Sequence, residues 1–499
     1  MSKVCWFNIL GTKSKSIFYM KFLIMMIAVL GITMTPGVSQ AAGVVYDPAA
    51  IISATTDDNV TIKIYHYRPA TSEPFRKGSP VLLFPGILQN SSQYLSSTPP
   101  ENSADYSKTT LPDPLPDWAI AKDANGDPLY YGNGEPVLEK YINADHMKIW
   151  SLAHYLWIKG YDVWLANYRD TGRGAMRSSG TYKETLTTLD TWGALDAAAA
   201  IAKVQQLTGK KIYIGGHSTG SFAAYIYLQG CYIDYFGWSN KNLAYRTANG
   251  LGYQPHVKNS TALAVQRNAA IKGWIALDPA GRPPLPTVLD SNFFWTLVSS
   301  RLYLPMDYIA ESLLMKVPVS TMSPLMDQVW GAVNKWDNGK TGNLFTYIDV
   351  WYTENMDTYM GDLTARYALS GAAIRTLGQY MDCGLHGVTR ESYKNGREHI
   401  FTTEAATPNP GKDGYYYYSE NMHLVTVPMV ATLSDSGSLV SPDNVYQDII
   451  SKKTHHPLDE WEIITDTAHF DVAAGRKSPT VVFPMIGAWL DRVEASGTP

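Results

Sequence analysis

The chain has 499 residues, of which 45% are hydrophobic, 12% aromatic and 17% charged. That composition excludes a disordered chain and a disulfide-stapled mini-protein, and it suffices for one large domain with an insertion, or for two domains. Acids outnumber bases 45 to 41, for a formal net charge of −4, which makes the chain a poor candidate for nucleic-acid binding.

In chain order, the first feature is an address label. Lys13, Lys15 and Lys21 precede the apolar run Phe22–Leu30, followed by Pro36-Gly37 and the small-residue site Ser39-Gln40-Ala41. A basic start, a short apolar stretch and a small-x-small site predict a secretory signal peptide over 1–41, with an uncleaved anchor as the alternative. The run is shorter than the roughly 18–20 residues needed to span a bilayer. Export to a periplasm or to the cell exterior is therefore expected. Cleavage after Ala41 removes four lysines and no acid, so the net charge moves from −4 to −8. Cys231 and Cys383 remain, either as a disulfide in an oxidising compartment or as two buried thiols. No Cys or His spacing resembles a zinc site. Asp123-Ala-Asn-Gly-Asp127 lacks the Glu of a calcium loop and reads as a polar turn. Neither a metal nor a cofactor is expected.

Strand and helix signals then alternate. Val60–Tyr67 alternates with period two, and Pro80–Phe84 is a short continuous apolar run, as a strand buried on both faces should be. A polar stretch, Pro100 to Asp145, reads as surface loop. The pattern continues with a helix over Met147–Lys159, a strand over Tyr161–Asn167, a helix over Leu189–Leu207, a strand over Lys211–Gly215 and a helix over Phe222–Leu228. Further strands are predicted at Ala270–Leu277, Thr426–Leu433 and Glu462–Thr465, with a closing helix over Pro479–Val493. Strands separated by helices imply an α/β architecture, a mostly parallel sheet with helices on both faces. The stretch 282–424 has helical patterning and many aromatics. It reads as a helical cap inserted between late strands, dividing the core into 42–281 and 425–499.

The chemistry centres on Gly216-His217-Ser218-Thr219-Gly220. An apolar strand enters it and a small-residue helix leaves it, the context in which such a pattern marks a nucleophilic serine on a strained strand-to-helix turn. A bare tight turn is the plain alternative. Ser218 is the expected nucleophile; His217 is assigned to packing. The base is expected to be His469, which follows the last predicted strand and so stands last in the order nucleophile, acid, histidine. Backbone donors for an oxyanion are expected from Thr219 and from Ile87, in the Pro85-Gly86-Ile87-Leu88 turn.

Three segments now resemble the acid lipases (gastric and lysosomal), members of the α/β-hydrolase superfamily. They are Pro85-Gly-Ile-Leu88, Gly160-Tyr-Asp-Val-Trp-Leu-Ala-Asn-Tyr-Arg169 and Ala468-His-Phe-Asp471. The resemblance implies the α/β-hydrolase fold and a serine esterase acting on hydrophobic acyl esters beneath a cap between the sixth and seventh strands. One position departs from it. Where the family carries its acid, Asp435-Ser-Gly437-Ser-Leu439 presents Gly437, with Asp435 two residues early. Trp274-Ile-Ala-Leu-Asp278-Pro-Ala280 instead resembles the Leu-Asp-Pro-Ala segment of pancreatic-type lipases. Asp278 is thus the first choice for the acid and Asp435 the alternative.

The expected activity is hydrolysis of carboxylic esters through an acyl-enzyme, on a small-molecule, lipid or polymer ester, with transient contact with a lipid surface. Apolar clusters of the cap, such as Phe293–Trp295, Leu302–Leu304, Val350–Tyr352 and Tyr415–Tyr418, suit an acyl pocket, although packing accounts for most of them. The alternatives are a polyester depolymerase, amidase or thioesterase on the same residues, and a non-catalytic binding protein with this fold.

Overall fold

Apolar runs too short for helices and buried on both faces can satisfy their backbone only by pairing side by side, and the chain folds around that pairing. The computed structural model describes residues 46–100, 103–106, 109–179, 187–234, 256–284, 303–304, 306–307, 355–391, 415–435 and 439–497. The signal peptide predicted over 1–41, Gly437 and most of the predicted cap, with its Phe293–Trp295 and Val350–Tyr352 clusters, lie outside these residues.

The main sheet has eight strands, numbered here in chain order: β1 (Ile51–Thr55), β2 (Thr61–His66), β3 (Pro80–Phe84), β4 (Asp162–Ala166), β5 (Ile212–His217), β6 (Ile271–Leu277), β7 (Met429–Ser434) and β8 (Glu460–Ile464). Their spatial order is β1-β2-β4-β3-β5-β6-β7-β8. β2 runs antiparallel to β1 and β4, and every other neighbouring pair is parallel. That order, with helices on both faces, is the α/β-hydrolase fold.

Alternation along the strands splits the interior into two cores. Val81, Leu83, Val163 and Leu165 face one side, packed with Leu152 and Leu156 of helix α1 (Leu152–Ile158) and with Ile486 and Leu490 of the closing helix (Phe483–Ala495). Leu82, Phe84, Trp164 and Ile214 face the other. Against them pack Ile201 and Val204 of α2 (Ala198–Thr208) and Phe222 and Ile226 of α3 (Thr219–Leu228). Fully burying one such side chain contributes about 1.5–3 kcal/mol, so the central strands anchor everything attached to their ends.

Several elements were not anticipated. β1 is a five-residue edge strand of mixed polarity, and the antiparallel pair Cys231–Asp234 with His256–Asn259 has only four residues a side. The helix Thr261–Ala269 is short, at nine residues, and buries only Ala264 and Asn268. Each is too short or too polar for periodicity to register. The stretch between β6 and β7 contains the helices Thr358–Leu363 and Ile374–His386 and a small antiparallel pair, Tyr303–Leu304 with Ala372–Ala373.

The polar stretch after β3 also departs from the simple loop expected of it. Ala121 N–H donates to Val137 O (2.7 Å), Val137 N–H to Leu129 O (2.9 Å) and Leu129 N–H to Ala121 O (2.9 Å), so the three bonds close a triangle. Successive corners stand eight residues apart, and the chain between them turns at Asn125-Gly126-Asp127-Pro128 and Asn133-Gly134-Glu135-Pro136. Gly126 and Gly134 hold φ of +91° and +86°, which only glycine adopts freely. Asp123 Oδ1 accepts the N–H groups of Asn125 and Asp127, as befits the polar turn expected there.

A buried charge cluster fastens the segment after β4. The Arg169 guanidinium donates to Asp196 (Nε, 2.8 Å) and to Asp58 (Nη1, 2.7 Å), and the side chains of Arg169 and Asp196 are wholly buried. Removing the cation leaves a buried carboxylate without its counter-charge, a loss of about 3–5 kcal/mol. Arg169→Met is therefore expected to lower the unfolding free energy by about that amount, read from the urea midpoint at an unchanged m-value.

Candidate active site

The parallel strands end at one edge, where the loops converge. Ser218 follows β5 directly, and α3 begins at Thr219. Its backbone sits at φ +58°, ψ −124°, strained for a residue with a side chain. The flanking glycines explain how the turn closes. A Cβ on Gly216 would lie 2.5 Å from Phe84 O, and one on Gly220 would lie 2.3 Å from Phe84 O and 2.8 Å from Pro85 O. Neighbouring strands then hold the serine: Ser218 N–H donates to Leu277 O (2.9 Å) and Ser218 O accepts from Ala280 N–H (3.1 Å).

The structure brings Asp278 and His469 together. Asp278 Oδ2 lies 2.7 Å from His469 Nδ1, and both residues are buried. The same carboxylate accepts Ser434 N–H at Oδ1 (2.9 Å) and Ser434 Oγ–H at Oδ2 (2.8 Å), so β7 aims it. A carboxylate on Nδ1 puts the proton there and leaves Nε2 with its lone pair. Asp435 does not meet the imidazole in this arrangement. Its two oxygens accept the N–H groups of Asp466 (2.9 Å) and Thr467 (3.0 Å), in the loop between β8 and His469. Ala468 N–H is taken by Asp471 Oδ1 (3.0 Å), whose other oxygen holds Asn355. Three consecutive amides before His469 are thus fixed by carboxylates.

Ile87 sits half-buried in the loop after β3, next to Leu88 at φ +60°. A Cβ on Gly86 would lie 3.1 Å from Ser218 Cβ, so this loop packs directly against the serine. Thr219 is the first residue of α3, and its N–H has no acceptor within the helix. Ile87, Ser218, Thr219, Asp278 and His469 therefore all follow parallel strands that end at one edge of the sheet. Of the predicted cap aromatics, Tyr415–Tyr418 are buried; Tyr418 packs edge-on to Phe222 at 5.4 Å. Tyr416 and Tyr418 belong to the hydrophobic core on the α3 side of the sheet. Cys231 and Cys383 are separate buried thiols. Among the described residues no cluster of three or more ligating side chains could hold a metal.

His217, assigned to packing from the sequence, also makes polar contacts. It is fully buried, with Nε2 2.7 Å from His469 O and Nδ1 2.9 Å from Gln89 Oε1, and its N–H donates to Tyr94 Oη (2.8 Å). A histidine between Gly and Ser has no periodicity to announce it; only its place beside the nucleophile was a signal.

No family model and no curated protein matches the sequence. Solved structures do. The chain is similar to a thermophilic esterase from Thermogutta terrifontis at 12% identity and TM-score 0.36, over 89% of this chain and 98% of that one. It is similar to a monoglyceride lipase from Saccharomyces cerevisiae, solved with a substrate analogue, at 10% identity and TM-score 0.41, over 92% and 99% of the two chains. A membrane phospholipase A described as a bacterial virulence factor gives 11% identity and TM-score 0.39, over 98% and 96%. The fold assignment stands on the strand order itself.

Burial pushes the His217 imidazole well below its ordinary pKa, and the neighbouring His469 adds to this against the hydrogen bond to the His469 carbonyl. Burial also lowers His154, despite Glu139 beside it. Both rings are harder to protonate in the fold, whereas unfolded histidines take a proton below about pH 6.5. The unfolded state thus binds more protons as pH falls, so this stability is present above about pH 6.5 and is lost below it. The urea midpoint should fall between about pH 7 and pH 5, by up to about 1.4 kcal/mol per pH unit for each group, and His217→Gln should flatten the slope.

Proposed function

We propose that the chain is an exported serine hydrolase that cleaves carboxylic esters with apolar acyl groups through an acyl-enzyme. The observation that carries this reading is the Asp278–His469 hydrogen bond, 2.7 Å long and buried, at the edge where Ser218 stands on a strained turn. Strain of about 1–3 kcal/mol at such a serine has no evident use in a passive turn and is common at reacting centres.

In this mechanism Ser218 Oγ attacks the ester carbonyl carbon as its proton passes to His469 Nε2. The carbonyl oxygen becomes an oxyanion and accepts hydrogen bonds from the Ile87 and Thr219 amides, whose positions are fixed before charge develops. Asp278 holds the tautomer and stabilises the imidazolium. The C–O bond then breaks, and the alcohol leaves with the proton from His469. Water, deprotonated by the same imidazole, attacks the acyl-enzyme and releases the acid and free Ser218. Resemblance to the acid lipases in Gly160–Arg169 and Ala468–Asp471 supports the apolar acyl group. Amide, thioester and polyester substrates would use the same residues, and p-nitrophenyl esters of increasing chain length, triglyceride emulsion and polyester film separate them.

A fluorophosphonate probe should label the protein, and Ser218→Ala should abolish labelling; an unlabelled parent would favour a non-catalytic binding protein. Asp278→Asn should lower kcat at least about a hundredfold, as loss of the correct tautomer does, while Asp435→Asn should cost less than about tenfold. A loss below about tenfold at Asp278 would remove it as the acid.

A further inference from the structure

His217 precedes the serine and lies beside the base, a buried side chain that the mechanism above does not use. His217 touches three segments that the reaction must keep in register. Its own backbone carries Ser218. Its Nε2 meets the main-chain oxygen of His469 at 2.7 Å, and its Nδ1 meets Gln89 Oε1 at 2.9 Å. Gln89 is buried and follows Ile87 by two residues. The rings of His217 and His469 lie 4.5 Å apart, centre to centre. A Cβ on Gly86 would come within 3.1 Å of His217 Nδ1, so the imidazole packs straight against the oxyanion loop.

The proton positions follow from the partners. A carbonyl only accepts, so Nε2 must carry the hydrogen. A neutral ring then has a lone pair at Nδ1, which needs a donor. Gln89 can supply one only through its amide NH2, so a neutral ring requires the amide oxygen and nitrogen to exchange places relative to the Oε1 contact at 2.9 Å, an orientation that the hydrogen-bond partners alone decide. Tyr94 completes the fixture. Its hydroxyl donates to Phe84 O (2.7 Å) and accepts His217 N–H (2.8 Å), tying the ends of β3 and β5.

We propose that His217 is a positioning residue whose ring spans from Gln89 in the oxyanion loop to the main chain of His469, setting the separation between oxyanion donors and base. This rests on the serine-hydrolase reading of the site and deepens it. The ring moves no proton in the reaction; it acts through His469 and through the loop that carries Ile87. Packing alone would need only a side chain of similar volume. Positioning needs a donor aimed at the carbonyl and an acceptor aimed at Gln89.

The test compares His217→Phe with His217→Gln, using kcat and KM on a short-chain p-nitrophenyl ester beside thermal unfolding. His217→Phe keeps bulk without either hydrogen bond and should lower kcat about tenfold to a hundredfold with KM within about threefold, the pattern of a misplaced base. His217→Gln keeps a donor and an acceptor and should recover most of kcat. Equal impairment of the two variants, or kcat within about twofold of the parent in a folded His217→Phe protein, overturns the proposal. Where His217→Phe does not fold, Gln89→Met decides: it removes only the partner at Nδ1 and should lower kcat by about threefold or more, and an unchanged kcat overturns the proposal. Fluorophosphonate labelling separates the two levels of inference. A parent that Ser218→Ala does not distinguish removes the hydrolase reading; Ser218-dependent labelling with an indifferent His217→Phe removes only this one.

Discussion

The site depends on how one carboxylate is shared. Asp278 accepts from Ser434 N–H, Ser434 Oγ and His469 Nδ1, and it is wholly buried while doing so. The first two donors belong to β7 and the third to the loop after β8, so a single side chain at the end of β6 joins three strand ends. The sheet register prepares this. Leu277 stands opposite Thr432, and Asp278 N–H donates to Thr432 O (2.7 Å), which sets the carboxylate beside Ser434. A buried carboxylate is costly unless its oxygens are occupied, and here the occupants also fix its direction. Asp435 does a different task from the adjacent strand end, holding the backbone that leads to His469.

Strain marks the same edge. Among the described residues, Leu88, Asp170, Ser218, Asp278 and Asp466 adopt positive φ without being glycine, and they follow β3, β4, β5, β6 and β8; the remaining case, Asn59, lies in the β1–β2 turn. Such conformations persist only where surrounding structure over-determines them. The central strands supply that rigidity, since β3, β4 and β5 are buried along their whole length. The carboxyl ends of parallel strands are also where open α/β sheets gather their ligands. Rigid strands and strained ends are thus two sides of one arrangement: the interior is regular so that its edge can be irregular.

This division explains what the sequence made legible. β3 is a continuous apolar run, and β5 and β6 are buried along most of their length, so their signal comes from burial, the strongest force acting on them. Ser218 was visible because its turn demands glycines on either side, and His469 because it follows the last strand. Asp278 and Asp435 were harder to rank, for either strand end can present a carboxylate to the same loop. The Leu-Asp-Pro-Ala segment favoured Asp278, and the geometry gives it the imidazole and gives Asp435 two amides. His217 stayed hidden because its importance lies in contacts from residues 89, 94 and 469, which no local pattern encodes. The short pair at Cys231–Asp234 and His256–Asn259 was missed for a related reason: four-residue strands are too brief for period two to rise above chance.

The hydrogen-bonded triangle at Ala121, Leu129 and Val137 shows how geometry can fix a number. Along an ordinary sheet edge another strand can always be added, because each addition leaves a new edge. A closed ring leaves none: every N–H and C=O directed around it already has its mate. A further eight-residue span inserted here would have to break a bond in the ring before making one. Lengthening by repeat duplication is therefore blocked at this motif, whereas change at its outward turns, around Asn125-Gly126 and Asn133-Gly134, leaves the count untouched.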